Sequence, residues 1–363
     1  MIATILLSML FMATGIFNLD TDMDEMKNSE RRRSEAPLFV LDSHCDTPLK
    51  IFRGCDIGID NPDAQVDFPK LKKGKVDGAF FALFVSSRFD EEKAFVRACN
   101  LYKGIVKTLK ANPEKAAFAT SKEEAYANKK KGLFSVFLGL ENASPIGQSL
   151  DKLKYFYDLG VRYVTLCHNK NNQICDSSGE TTATWKGLSP FGVEVVKEMN
   201  RLGMIVDVSH VSDDTFYDVL ECSEKPVVAT HSCCRALAPH PRNLTDDMIK
   251  ALAAKGGVIQ INFYPLFLDP NINEKNMKSS PLPSYKMIVD HIDHVVSLVG
   301  IDHVGLGTDF DGIRVTPKGL ENISMMPKIF KELRKRGYSK TDIKKIASEN
   351  FFRVLSDVSD VKR

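Results

Sequence analysis

Phe39-Val40-Leu41-Asp42-Ser43-His44-Cys45-Asp46 is the stretch on which the fold turns. An apolar run passes straight into Asp, His and Asp. Such runs, with β-branched residues on both parities, read as strands buried on both faces rather than as half-exposed alternation. With residues 38–41 as the first, eight such runs are present; the others are residues 79–85, 133–140, 162–166, 204–208, 227–229, 258–261 and 304–306. Helical patterns lie between most of them, at residues 94–109, 191–202, 213–220, 246–254 and 285–298. Asp213 and Asp246 stand where first-turn acids favour a helix start. Strands alternating with helices predict a parallel sheet, and eight strands close a (β/α)₈ barrel. The expectation is an α/β protein with a single TIM-type barrel domain over residues 37–363. A doubly wound open sheet is the structural alternative; against it, no G-x-G-x-x-G follows the first strand.

Composition narrows the function classes. The chain has 363 residues, 43% hydrophobic and 26% charged, which excludes collagen-like, disordered and multi-span membrane proteins. Lys+Arg 49 against Asp+Glu 47 leaves +2. No field of one sign results, so nucleic acid is not an expected partner. Arg31-Arg32-Arg33 is followed at once by Ser34 and Glu35 and reads as a solvated tail. The eight cysteines include no C-x-x-C pair, which argues against a finger-type zinc site. Their spacing leaves disulfide pairing open.

Residues 2–17 are almost wholly apolar and suit a signal-peptide core, with small residues at Ala13-Thr14-Gly15 and no Lys or Arg in the n-region. Residues 1–17 are therefore expected to be a signal-peptide-like or anchor segment, residues 18–36 a linker, and the protein exported. A start at Met23 or Met26 would instead give a cytoplasmic protein. The C-terminal residues end in Asp, Lys and Arg without an apolar tail, so no stable membrane anchor is expected there.

The residues at the C-terminal end of each apolar run carry the chemistry. Six of the eight runs end in His, Asp or Glu: Asp42, His44 and Asp46; Glu141; His168; His210; His231; and Asp309 with Asp311. Barrel closure gathers these ends on one rim, where active sites are built. His44 and Asp46, two apart on an extended segment, point to the same side and can grip one cation. Glu141 adds a carboxylate, and His210 and His231 add imidazoles. Imidazole with carboxylate suits zinc better than manganese or iron. Five ligands exceed what one catalytic zinc needs while keeping a water. They suffice for two ions bridged by Glu141 and a hydroxide, with His44 and Asp46 on one ion and His210 and His231 on the other. Taken singly, a His in an apolar strand is more often a hydrogen-bonded core residue; the joint pattern is what points to ligands. Asp207 is assigned to structural bonding, since it precedes the rim. His291, His294 and His303 are left out, and His240 is open. Asn142 and Asn243 begin glycosylation triplets that directly follow site residues, so both read as chance matches.

The ordered series DSHCDTP (42–48), GLENA (139–143), VTLCHN (164–169), DVSHVS (207–212), ATHSCCRALAPHPRN (229–243), INFYP (261–265) and VGLGTDFDG (304–312) resembles the membrane (renal-type) dipeptidase family over about residues 38–357. The resemblance implies a (β/α)₈ barrel with a bridged zinc pair that hydrolyses dipeptides, often tolerating a D-residue on the C-terminal side. It implies His44, Asp46, Glu141, His210 and His231 as metal ligands. It implies His168 contacting the substrate and the tetrahedral intermediate, Arg242 binding the terminal carboxylate with Tyr264 assisting, and Asp309 as the acid beside the hydroxide. A homodimer is also implied. The competing reading is another metal-dependent hydrolase on the same barrel, such as a lactonase, deacetylase or phosphotriesterase; Arg242 with Tyr264 argues for a substrate with a free carboxylate.

Overall fold

The computed structural model describes residues 37–277 and 280–360. The segments expected at 1–17 and 18–36 lie outside the described residues. The strands are β1 (Leu41–Cys45), β2 (Gly78–Phe84), β3 (Ala116–Phe118), β4 (Phe134–Glu141), β5 (Val161–Thr165), β6 (Ile205–Asp207), β7 (Val228–Ser232), β8 (Val258–Ile261) and β9 (Val304–Leu306). Eight of them run in the order β1-β2-β4-β5-β6-β7-β8-β9, each parallel to its neighbours. The chain just beyond β9 returns to β1: Asp309 N donates to His44 O at 3.0 Å, and Asp46 N to Phe310 O at 2.8 Å. The fold is the expected single-domain (β/α)₈ barrel.

Every predicted run holds a strand, but the strands reach further into the polar residues than the apolar runs do. His44 lies inside β1, Glu141 is the last residue of β4, and His231 lies inside β7. The polar side chains are tolerated there because the barrel interior satisfies them. Ser43 Oγ, for example, donates to Thr230 O at 2.7 Å. The ninth strand, β3, has no counterpart among the predicted runs. It pairs only with the start of β4, and its Ala-Ala-Phe sequence offers no apolar run to read.

The five predicted helices occur as Glu91–Ala111, Pro190–Leu202, Asp213–Cys222, Asp246–Ala254 and Lys286–Val299. Ser212 caps the third and Thr245 the fourth, each accepting from a first-turn amide, with Asp213 and Asp246 beginning the first turns. This is the capping arrangement that satisfies otherwise unpaired N–H groups.

The N-terminal halves of the strands pack an apolar floor. Phe80 stacks on Phe137 with centroids 4.8 Å apart and meets Phe351 at 5.0 Å. Phe351 and Phe352 come from the helix Asn350–Ser359, which closes this end. Buried rings of this kind each remove roughly 150–250 Å² from water. At Gly139 a Cβ would fall 2.2 Å from the Tyr163 ring, so the glycine is what lets Tyr163 lie across the barrel. With the floor closed, only the C-terminal strand ends are left to hold chemistry. Among the described residues all eight cysteines are free, and no helix is long and apolar enough to cross a membrane.

Candidate metal centre and substrate pocket

All five predicted ligands are buried and converge on one point. Glu141 stands at the centre, and its two oxygens face different partners. Oε2 lies 3.4 Å from His44 Nε2, which is itself 3.6 Å from Asp46 Oδ2. Oε1 lies 3.3 Å from His210 Nε2 and 3.6 Å from His231 Nε2. The two histidine nitrogens are 2.9 Å apart. The grouping is tighter than the expected split, since the His44 and His231 rings also stack, with centroids 3.8 Å apart.

The opposite ring nitrogen of each histidine is held from behind. His44 Nδ1 is bonded to Tyr163 Oη at 2.8 Å, His210 Nδ1 to Asn169 Oδ1 at 3.0 Å, and His231 Nδ1 to Thr230 Oγ1 at 2.8 Å. An Nδ1–H donating to oxygen leaves the Nε2 lone pair free for a cation. His44 Nε2 is buried with no hydrogen-bond partner among the described residues, an arrangement that is costly unless a cation takes up the lone pair. Burial first, and then neighbouring cationic groups including Arg242, hold His210 and His231 well below the usual imidazole range. Neutral imidazole is the form that ligates.

The carboxylates tell the same story with the opposite sign. Burial, then the nearby Glu141 carboxylate, pushes Asp46 up to about 6. Burial, then Asp46, pushes Asp309 up to about 7. His44, Asp46 and Asp309 offer donor atoms within 4.8 Å of one another, as do His44, Glu141 and His231, and Glu141, His168 and His210. Crowded buried carboxylates facing the neutral imidazoles of His210 and His231 fit a bound cation, whose charge would offset their mutual repulsion. The donor set of nitrogen and oxygen with no thiolate matches zinc in a catalytic role.

Backbone strain is concentrated here. Asn142, His210, Asp309 and Asp311 are four of the six non-glycine residues with positive φ among the described residues. Asn, Asp and His tolerate that region better than other side chains, and such strain gathers at functional sites.

Asp309 and Asp311 separate clearly. Asp311 accepts from Thr47 Oγ1 at 2.8 Å and from Gln65 N at 2.7 Å, so it shapes a turn. Among the described residues Asp309 Oδ2 accepts only from Asn262 Nδ2, at 3.0 Å, and otherwise faces the cage. Asp207 is structural, as expected: it accepts from the Thr165 and Thr230 hydroxyls, each at 2.6 Å, and from two backbone amides. Asn142 and Asn243 are fully buried, in keeping with chance triplets.

His168 lies closer to the cage than a residue that merely overhangs it. Its Nε2 is 3.8 Å from Glu141 Oε1, and its ring lies 4.2 Å from that of His210. Burial, then Arg242, drives it down to about 3. Arg242 is buried behind β7, where Nη2 donates to His231 O at 3.0 Å and Nη1 to Ser232 Oγ at 3.3 Å; its Nε has no partner among the described residues. His240, left open by the sequence, accepts from Arg242 N at 3.1 Å and so braces that loop. Tyr264 packs edge-on against Phe267. A cavity of about 500 Å³ opens over the cage, lined by Asp46, Glu141, His168, His210, Tyr264 and Asp309, within the range that encloses a small ligand.

Sequence reasoning misses Tyr163, Asn169, Thr230 and Asn262, the groups that hold the ring nitrogens and Asp309. Asn169, Thr230 and Asn262 each adjoin a residue or strand end already singled out, which is a usable signal. Tyr163 in mid-strand gives none.

The profile of the membrane dipeptidase family, peptidase family M19, matches residues 30–363. An uncharacterized dipeptidase of Schizosaccharomyces pombe is 33% identical over 340 residues, covering 89% of this chain and 81% of its own. Among solved structures, the probable dipeptidase PvdM of Pseudomonas aeruginosa superposes with a TM-score of 0.83 at 27% identity, over 93% of this chain and 99% of that one. A Rhodobacter sphaeroides metallopeptidase liganded with a phosphinate mimic of L-Ala-D-Ala gives a TM-score of 0.81 at 26% identity, over 89% of this chain and all of that one, 100%. Barrel, convergent imidazole–carboxylate cage and a match over residues 30–363 agree, and the chain belongs to the membrane dipeptidase family of metallopeptidases.

Proposed function

We propose that this dipeptidase hydrolyses dipeptides, including those with a C-terminal D-residue, with two zinc ions. His44, Asp46 and Glu141 would hold one, and Glu141, His210 and His231 the other. The observation that carries this is Glu141, whose Oε2 faces His44 at 3.4 Å and whose Oε1 faces His210 at 3.3 Å. The L-Ala-D-Ala mimic bound by the Rhodobacter sphaeroides relative supports the stereochemistry. When bound, zinc supplies Lewis acidity that brings the pKa of water from about 15.7 toward about 7 and polarises a carbonyl.

The chain's own residues do the rest. Arg242 and Tyr264 hold the substrate's terminal carboxylate, Arg242 through charge-assisted hydrogen bonds. A longer peptide would place a neutral amide against that guanidinium, which favours short substrates. His168 orients the scissile carbonyl and stabilises charge developing on its oxygen, a contribution of roughly 3–4 kcal/mol in comparable sites. Asp309 takes a proton at a carboxylate oxygen and delivers it to the leaving amine, typically worth about 10²–10⁴-fold. Asn262 holds that carboxylate in place.

The test is a panel of L,L-, L,D- and D,D-dipeptides, run beside lactone and ester substrates, with metal analysis on the same sample. Turnover of L,L- and L,D-dipeptides by protein carrying two zinc ions is expected. Ester or lactone turnover without peptide cleavage would overturn the reading. Export and a homodimer, both expected from the sequence, belong to this proposal and are tested by fractionation and by sedimentation.

A further inference from the structure

Beside the cage lies a second, larger cavity of about 1290 Å³. It shares Leu49, Phe84, His168 and Asn169 with the cavity over the cage, so the two adjoin. Its outer wall is cationic: Arg53, Arg88, Arg97 and Lys170 line it. Lys170 is paired with Glu180 at 2.6 Å. Arg53, Arg88 and Arg97 have no carboxylate partner among the described residues. Arg97 is nevertheless fixed. Its guanidinium stacks 4.2 Å over the Phe52 ring and 5.1 Å from that of Phe89, contacts that orient the fork without neutralising it. Three guanidiniums without counter-charges beside a catalytic cleft form a field suited to an anion.

The position of this wall gives it a role. Arg242 and Tyr264 lie beyond β7 and β8, whereas the cationic cavity sits beyond β1, β2 and β5, across the rim. A dipeptide with its carboxylate at Arg242 and its scissile bond at Glu141 extends its amino-terminal residue toward the arginines. We infer that this cavity is the subsite for the amino-terminal side chain, and that it selects dipeptides whose first residue is anionic, with Arg97 as the principal anchor. The inference rests on the dipeptidase reading above.

The experiment compares Glu-Ala, Ala-Ala and Lys-Ala on the full-length, metal-loaded enzyme and on Arg97→Ala, Arg97→Lys and Arg88→Ala Arg97→Ala. The wild type is expected to favour Glu-Ala over Lys-Ala by about tenfold or more in kcat/KM, the size of one charge-assisted contact. That preference should narrow as salt is raised from about 0.05 to about 0.5 M. Arg97→Ala should lower the ratio of Glu-Ala to Ala-Ala turnover about tenfold, chiefly through KM, and Arg97→Lys should restore part of it. An unchanged ratio, within about twofold, in both Arg97→Ala and the double variant overturns the subsite while Ala-Ala cleavage leaves the dipeptidase reading standing. Failure of the wild type to cleave any of the three overturns both.

Discussion

Phe137 and Glu141 are four residues apart on β4 and live in opposite worlds. Phe137 stacks on Phe80 and adjoins Phe352 in a floor built of aliphatic and aromatic side chains. Glu141 sits equally buried among His44, His210 and His231. The floor is held by burial, which is non-directional and scales with area. The rim is held by directional contacts between groups that would each be costly to bury alone. Tyr163 joins the two, its ring against Phe80 and its hydroxyl on His44. The difference teaches that the strands supply stability at one end and hold the site at the other, so mutations should separate the two.

The largest separation is expected at Glu141. Glu141→Gln should cut dipeptide kcat/KM by about 10³-fold or more and lower bound metal, while thermal stability holds or rises because a buried charge is gone. A variant that unfolds together with losing activity would erase the contrast. The floor should behave in reverse. Phe352→Ala should cost roughly 3–5 kcal/mol in chemical denaturation and leave the activity of the folded fraction within about twofold. A kcat collapse in fully folded Phe352→Ala would show that the ends are coupled.

A third buried imidazole sharpens the contrast. His291 is as buried as His44, but both of its nitrogens are bonded, Nδ1 accepting from Cys234 N and Nε2 meeting Leu268 O, each at 3.1 Å. Burial lowers its pKa to about 4. A depressed folded pKa contributes stability that is complete above the unfolded value near 6.5 and is lost as pH falls through the folded value. The contribution of His291, on the order of 3 kcal/mol, should therefore be lost between about pH 6.5 and about pH 4, and His291→Gln should flatten the slope of stability against pH in that window. An identical slope in the variant would assign the loss elsewhere. The smallest effect belongs to the joint itself. Tyr163→Phe keeps the ring in the floor and removes the hydroxyl from His44, so metal affinity should weaken about 10–100-fold with little change in stability. Unaltered affinity would show that Tyr163 does not orient His44.

Much of this is legible in the sequence because barrel closure converts a one-dimensional pattern into a place. Polar residues recurring after buried runs have to meet at one rim, and His44, Asp46, Glu141, His210 and His231 do. Asp207 reads as structural because it comes before the rim, and its four donors agree. The illegible part depends on side-chain direction. Tyr163 reads as an ordinary core aromatic until Gly139 is seen to give it room. The arginine wall draws on segments after two different strands, Arg53 after β1 and Arg88 and Arg97 after β2, and no spacing links the three. β3 is three residues long and depends wholly on its neighbour.

Zinc titrated into chelator-stripped wild-type protein, with L-Ala-D-Ala hydrolysis followed at each addition, is the most direct test of the paired-ion cage around Glu141. Metal-free protein should be folded and inactive, and activity should saturate at two ions per chain. Full hydrolysis by the stripped protein, or saturation at a single ion, would contradict it.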